Sequence, residues 1–317
     1  MFSKRDDMRL SKVGIVLGLV LAGIGFSANA TPYYVAVIDN ADSAKNIYRC
    51  VMSEVGSMSD CQKKFPQAAQ DRYSALFFSS NEDFLTSNDR NEIVSYQLEN
   101  TLPIMHSYVI NNFEGPAVAI AVIPPGANGG YGYISNGKIV YKCHETSGVY
   151  SSCQTDSTLK NGIISMTVNK NDGMLYVLEQ DGDGGKIIAY SYSASNGALI
   201  QKALILLSGT TNGIEPLMIA YDNEAKRLYL LTQTATASDI DYIDIKNGLL
   251  LQTLHQYTFI TGRGNIGSIV ANMPNFIYAL SDKGLFRIDK ATKVTSMVTS
   301  TLIKHPLAMV DITETPF

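Results

Sequence analysis

Acidic residues recur along the chain where they could bind a cation or a basic ligand. Each follows an apolar run, and together they are Asp39 and Asp42, Asp89, Asp181 and Asp183, Asp239, and Asp282. Carboxylate oxygens are preferred ligands of hard cations and pair with basic side chains. If the connections that hold them share one face of the fold, their carboxylates would ring its centre. The alternative is turn chemistry, because Asp is a common turn residue.

The segment Asp181-Gly182-Asp183-Gly184-Gly185 begins like a calcium-binding loop. An EF-hand loop needs a bidentate Glu at its twelfth position, where this chain has Tyr192. Two interpretations remain: an irregular calcium site built on Asp181 and Asp183, or a turn between two strands. Calcium is the only cofactor that the sequence suggests, and we expect no other.

Other signatures of catalysis are weak. Residues 262–267 match the G-x-G-x-x-G pattern of dinucleotide sites, but a strand-like segment follows where such a site needs a helix. No G-x-S-x-G motif is present, and the histidines lack the spacing of a zinc site. The histidines are His106, His144, His255 and His305. We therefore predict no catalytic residue and interpret residues 262–267 as a connection between strands.

Four cysteines lie in two similar stretches, residues 46–62 and 138–154. Each stretch has a β-branched and aromatic run, a polar turn and a second short run, which is typical of a hairpin. Four cysteines allow three pairings. We favour Cys50 with Cys61 and Cys143 with Cys153, because each pair then lies within one copy of the hairpin. Each bridge would contribute about 2–3 kcal/mol.

The first thirty residues predict a secretory signal peptide. Lys4, Arg5, Arg9 and Lys12 precede an apolar run at residues 13–26, and Ser27-Ala28-Asn29-Ala30 supplies a small-residue cleavage site. We expect a periplasmic or extracellular protein with no membrane span after cleavage. The net charge of −4 and the absence of a basic run argue against a nucleic-acid partner.

The remaining residues, 31–317, predict a single all-β domain built from repeats. Similar apolar segments start near residues 73, 117, 162, 215, 267 and 305, close to the ~40–50-residue period of propeller blades. Each start leads into an aromatic-led strand, a third strand and a more polar fourth strand. The spacing predicts a β-propeller of six blades, with seven as the alternative. Residues 58–72 are the one place where we expect a short helix.

The two ends of the domain complement each other. Residues 32–62 lack a first strand, whereas residues 306–312 form a first strand with no blade after it. We therefore predict that the C-terminal strand completes the N-terminal blade and closes the ring, which leaves no free sheet edge.

Tyr133-Ile134-Ser135-Asn136, residues 34–40 and the cysteine-bearing hairpins resemble the YVTN-type β-propeller repeats of exported bacterial proteins. These repeats are related to the NHL and lactonase-like propellers. The resemblance spans residues 32–312 as a degenerate pattern. It implies the fold more than an activity, since such families include lactone hydrolases, surface-layer proteins and scaffolds.

Two functions follow from this. The favoured one is a non-catalytic exported module that binds a protein, a glycan or a small molecule. The alternative is a metal-dependent, lactonase-like hydrolase with carboxylates at the mouth of the axial channel. In both, the predicted binding residues are Asp39, Asp89, Asp181, Asp183, Asp239 and Asp282.

Overall fold

Short strands make up the domain, as the apolar runs predicted. A computed structural model describes residues 33–311 except 40–45, 54, 66–74, 79–82, 88–91, 98–103, 111–112, 114–116, 127–128, 147–148, 160–161, 182–183, 208–214, 235–236, 300–302 and 304–305. The strands in chain order are β1 (Tyr33–Asp39), β2 (Asn46–Met52), β3 (Met58–Phe65), β4 (Ala75–Phe78), β5 (Asp83–Ser87), β6 (Glu92–Gln97), β7 (Ile104–Val109), β8 (Ala119–Gly126), β9 (Gly129–Ser135), β10 (Val140–Thr146), β11 (Val149–Thr155), β12 (Ile163–Asn169), β13 (Met174–Asp181), β14 (Gly184–Tyr192), β15 (Leu199–Leu207), β16 (Glu215–Asp222), β17 (Arg227–Gln233), β18 (Ala237–Lys246), β19 (Leu249–Thr261), β20 (Ile266–Val270), β21 (Phe276–Ser281), β22 (Gly284–Asp289), β23 (Thr295–Val298) and β24 (Pro306–Asp311).

These strands form six four-stranded antiparallel sheets within the described residues. The first sheet has the order β24-β1-β2-β3, and the second to sixth sheets take β4–β7, β8–β11, β12–β15, β16–β19 and β20–β23. The innermost strands of neighbouring sheets contact one another. β24 pairs with β1 from Val35 opposite Asp311 to Asp39 opposite Pro306. That the sheets form one ring closed by β24 stays a prediction.

The cysteine-bearing hairpins are the third and fourth strands of the first and third sheets. Cys50 is bonded to Cys61 and Cys143 to Cys153, as predicted. The helix expected within residues 58–72 is wrong for its first part, because Met58–Phe65 is strand β3. This segment is polar because it is the outer strand of its sheet; its pairing with β2 and the disulfide determine its conformation.

The disulfides indicate a non-cytoplasmic protein, because such bonds persist in oxidising compartments. No helix in the described ranges is long and apolar enough to cross a membrane. The signal peptide predicted for residues 1–30 lies outside the described residues.

A buried tyrosine recurs in the second strands of the third to sixth sheets. Tyr133, Tyr176, Tyr229 and Tyr278 are each at most 1% exposed. Tyr176 donates its hydroxyl hydrogen to the carbonyl of Gly248, 2.9 Å away, and Tyr133 donates to the carbonyl of Gly197. Both acceptors lie between the third and fourth strands of the following sheet. These tyrosines therefore attach each of these turns to the sheet before it.

Glycine is required in these turns by backbone conformation and by close approach. Gly248 has a φ of +75°, and a Cβ there would lie 2.7 Å from Cγ of Met174. Gly197 has a φ of +61°, and a Cβ there would lie 2.6 Å from the ring of Tyr131. A side chain at either position would force the turn away from the preceding sheet.

Cation–aromatic pairs lie beside these turns. The three pairs on equivalent positions are Arg49 with Tyr34 at 3.8 Å, Lys142 with Tyr131 at 5.1 Å, and Arg287 with Phe276 at 5.2 Å, each from the charged centre to the ring centroid. In the third and sixth sheets the cation also donates to the next turn: Lys142 to the carbonyl of Asn196, and Arg287 to that of Val55. We call the pairs of the third and sixth sheets turn-holding pairs.

The turn at the end of β22 is attached to the fifth sheet by a buried ion pair. Lys290 donates from Nζ to Oδ2 of Asp222 and to the carbonyl of Met273. The side chain of Asp222 is 1% exposed. Its Oδ1 accepts the backbone N–H groups of Glu224 and Ala225, each at 3.0 Å. Asp222 thus ends β16 and holds the sixth sheet at the same time.

Candidate functional site

The described acids from the predicted set lie at the same end of their sheets. In each antiparallel sheet, the connection between the second and third strands lies at the end that we call upper; the turns described above lie at the lower end. Asp39 ends β1, Asp181 ends β13, Asp239 lies near the start of β18, and Asp282 lies between β21 and β22. Asp89, Asp183 and Asp42 lie outside the described residues.

A row of polar residues occupies the upper ends of the second strands. By strand register these positions are equivalent, three residues beyond the recurring tyrosine position, and they are Asp39, Asn136, Glu179, Thr232 and Ser281. Alternation along the strands turns Asp39, Glu179, Thr232 and Ser281 toward the preceding sheet, whereas Asn136 lies one residue after β9. Asp39 and Glu179 are fully buried. The sequence analysis found Asp39 but missed the other members of the row. The pattern that could have revealed them is a polar residue three positions after the recurring tyrosine position in each second strand.

Asp39 lies between the first and sixth sheets. It is on the same side of β1 as Val35 and Val37, which pack in one core cluster with Met273 and Tyr278 of the sixth sheet. A carboxylate that is 0% exposed there is part of the contact between two sheets. It is not presented to solvent at the upper end.

Asp239 and Asp241 form a pair of carboxylates between the fourth and fifth sheets. They project on the same side of β18 as Ile243, which packs against Tyr176 and Leu178 of the fourth sheet. Burial raises the pKa of Asp239. Burial, and then the negative charge of Asp239, raise the pKa of Asp241 to about 6. Among the described residues, Oδ1 of Asp239 has no hydrogen-bond partner. The pair can therefore retain a proton up to about pH 6.

Replacing Asp241 by Asn is expected to stabilise the protein at pH 7 but not at pH 4. The folded-state pKa is raised, so the folded protein holds this proton more tightly than the unfolded chain, and its unfolding free energy falls as pH rises from about 4 to 6. Allowing for partial solvent screening, we expect Asp241→Asn to gain about 1–2 kcal/mol at pH 7. Urea denaturation at both pH values measures this. Equal gains at both pH values, or a gain in the control Asp181→Asn at the exposed end of β13, would contradict it.

Glu179 is neutralised within its own sheet. Nζ of Lys186, on the neighbouring strand β14, lies 3.1 Å from its Oε2, and the side chains are 18% and 1% exposed. The side of β13 that carries Glu179 faces the third sheet, because Leu175 and Val177 pack with Tyr133 there. This pair also belongs to a contact between sheets.

Among the residues whose burial the structure describes, the exposed acids of the upper end lie on the fourth to sixth sheets. Asp181, Glu215 and Asp282 are exposed. Oδ1 of Asp282 accepts the backbone N–H of Asn265 at 3.1 Å, and Oδ1 of Asn265 accepts Nε2 of Gln233 at 2.9 Å. Residues 262–265 link β19 to β20, so the glycine-rich segment connects two strands as predicted.

The described residues contain no group of three or more His, Cys, Asp or Glu side chains that could hold a metal ion. Asp181, the described member of the predicted calcium pair, is the last residue of β13 and pairs with Gly184 at the start of β14. Because Asp183 lies outside the described residues, the calcium site stays a prediction.

Comparisons with known proteins show the fold. No family model matches the chain, and no curated protein matches it. Solved structures do match. A structure of a nidogen/laminin complex aligns with a TM-score of 0.60 at 12% identity, over 88% of this chain and 97% of the other. A periplasmic gluconolactonase of Pseudomonas aeruginosa aligns with a TM-score of 0.58 at 11% identity, over 89% and 99%. A protein of Lactobacillus plantarum aligns with a TM-score of 0.56 at 11% identity, over 88% and 99%.

The protein is an all-β propeller. The predicted all-β propeller is confirmed, and so is the structural likeness to lactonase-like propellers, whereas six blades in a closed ring stay a prediction. At these identities the likeness is one of fold, and these neighbours include both an enzyme and a complex of binding proteins.

Proposed function

We propose that the protein is an exported, non-catalytic propeller module that binds a positively charged ligand at the upper ends of its sheets. The observation that carries this proposal is the placement of exposed carboxylates of Asp181, Glu215 and Asp282 at the upper ends of three successive sheets. Exposed carboxylates attract cations and basic segments from solution. The two disulfides support the exported location, with residues 1–30 as the signal peptide.

The placement of the buried acids gives less support to a metal-dependent hydrolase. Asp39 lies between the first and sixth sheets, whereas Asp239 lies between the fourth and fifth. A catalytic ion needs its carboxylates within a few ångströms of one point. Carboxylates in two different contacts between sheets do not meet this need.

We also propose that six blades form one ring that β24 closes. The pairing of β24 with β1 supports this, and so does the contact of β24 with both β20 and β4. The bond from Arg287 of the sixth sheet to the carbonyl of Val55 in the first supports it at the lower end. In this arrangement the upper ends of all sheets share one face.

Ligand binding at the upper end can be tested by thermal shift of residues 31–317. Calcium chloride and an oligolysine peptide serve as probes. We expect at least one of them to raise the Tm of the protein, because a ligand that binds only the folded state stabilises it. The double variant Asp181→Asn/Asp282→Asn should lose most of that shift. Glu224→Gln, an exposed acid at the lower end, is the matched control. An equal loss in both variants, or no shift in the unmodified protein, would refute the upper-end site.

A further inference from the structure

The fifth sheet departs from the turn-holding arrangement of the third and sixth sheets. In the third and sixth sheets the aromatic residue lies on the second strand and the cation on the third. In the fifth sheet the two types are exchanged: Arg227 lies on β17 and Tyr242 on β18, with the guanidinium carbon 4.2 Å from the ring centroid. The cation still lies over the aromatic ring, although each residue type occupies the strand that carries the other type in the third and sixth sheets.

The exchange releases Arg227 from holding the next turn. That turn is attached by Lys290, through Asp222, and by Tyr257, whose hydroxyl donates to the carbonyl of Lys290 at 3.2 Å. Nε of Arg227 donates instead to Oδ1 of Asp244 in its own sheet, at 3.0 Å. The Arg227 side chain is 33% exposed. Its guanidinium, which is also hydrogen-bonded to Tyr229, therefore lies at the surface beside the next turn.

Two further groups that can carry positive charge surround the same rings. The imidazole of His255 stacks on Tyr242, with centroids 5.0 Å apart and planes inclined by 22°, and its side chain is 42% exposed. Nζ of Lys293 lies 3.2 Å from the centroid of Tyr257. The two tyrosine rings are 6.1 Å apart. The cluster thus combines the charged groups of Arg227 and Lys293 and the imidazole of His255 with the rings of Tyr242 and Tyr257.

The acids near this cluster are already engaged. Asp222 is buried and paired with Lys290. Asp244 is paired with Arg227 through Oδ1, and Oδ2 of Asp244 is 3.9 Å from Nε2 of His255. Oδ1 of Asp289 accepts the backbone N–H groups of Ala291 and Thr292. Burial, and then the positive charge of Arg227, lower the pKa of Lys293, and the opposing negative charge of Asp289 is the smallest of the three effects. Arg227 lies over Tyr242 and Lys293 over the adjacent ring of Tyr257, and an anion bound between these two cations would be attracted by both.

We propose that Arg227, Tyr242, His255, Tyr257 and Lys293 form a binding site for an acidic sugar. Its carboxylate bridges the guanidinium of Arg227 and the ammonium of Lys293, because planar guanidinium groups match carboxylate geometry. Its ring packs on the exposed face of His255, since a flat ring next to charged groups suits a ligand with one apolar face and one anionic group. The site is at the lower end, so it does not depend on the carboxylates of the proposed function.

The test compares sugars that differ only in the carboxylate. D-glucuronate, D-glucose and sodium sulfate are titrated into residues 31–317, with NMR detection of the His255 ring signals. We expect saturable shifts with glucuronate and at least tenfold weaker binding of glucose and sulfate. Lys293→Met and Arg227→Met should each weaken glucuronate binding at least tenfold. Lys202→Met, an exposed lysine on β15, should leave it unchanged.

Each other outcome overturns the proposal. If sulfate binds as tightly as glucuronate, the site binds anions in general and not acidic sugars. If glucose binds as tightly as glucuronate, the cations do not contribute to binding. If Arg227→Met unfolds the protein, Lys293→Met decides alone, because Lys293 is exposed and lies on a turn. Unchanged glucuronate binding in a folded Lys293→Met variant would refute the site.

Discussion

A chain that lacks residues 305–317 is expected not to fold into a cooperative domain. The deletion removes β24, which pairs with β1 and contributes Met309 to the core between the first and sixth sheets. Losing this set of backbone hydrogen bonds, at roughly 1 kcal/mol each, together with the apolar burial, costs about as much as the whole stability of a typical domain, ~5–15 kcal/mol. The edge of β1 would also be open to pairing with other chains.

Circular dichroism and thermal melting of the truncated chain measure this effect. The control is a chain that lacks only residues 312–317, which keeps all of β24 and should melt like the unmodified protein. A truncated chain without β24 that melts at the same temperature as the full chain would show that ring closure by this strand is wrong.

Replacing Lys290 by Ala is expected to destabilise the protein by about 3–5 kcal/mol. The change leaves the carboxylate of Asp222 buried without its ammonium partner, and an uncompensated buried charge is among the most costly single changes in a protein. The carbonyl of Met273 loses its donor as well. Urea denaturation at pH 7 gives the unfolding free energy directly.

A double variant separates charge from packing. Asp222→Asn in the Lys290→Ala background should recover part of the loss, because the amide removes the unpaired charge. Lys202→Met, at an exposed position, should change stability by less than about 0.5 kcal/mol. A loss of similar size in both lysine variants would mean that the buried ion pair does not hold the sixth sheet.

The repeated strands and the disulfides could be predicted because they are local patterns. The alternation of apolar runs and turns is visible at a fixed period, and each cysteine pair lies within one hairpin. Residues 58–65 were harder, since an outer strand with one solvated side contains few apolar residues. Its conformation depends on β2, which a local pattern does not include.

The surroundings of each acid could not be predicted, because strand parity decides them. Asp39 falls at a position whose side chain points between sheets, whereas Asp282 lies one residue beyond the equivalent Ser281 and stays exposed. A shift of one residue along a strand reverses the side on which a residue projects. The exchange of Arg227 and Tyr242 was missed for a related reason. It can be recognised only when the strand register of the fifth sheet is compared with that of the other sheets.

Because β24 pairs with β1, the last described strand of the chain belongs to the same sheet as the first. Val35 lies opposite Asp311, so the start of β1 and the end of β24 lie side by side in one sheet. A short linker between them would allow new termini at an exposed lower turn, such as residues 170–173 between β12 and β13, with every strand pairing retained. The same molecule could thus be encoded by circularly permuted sequences.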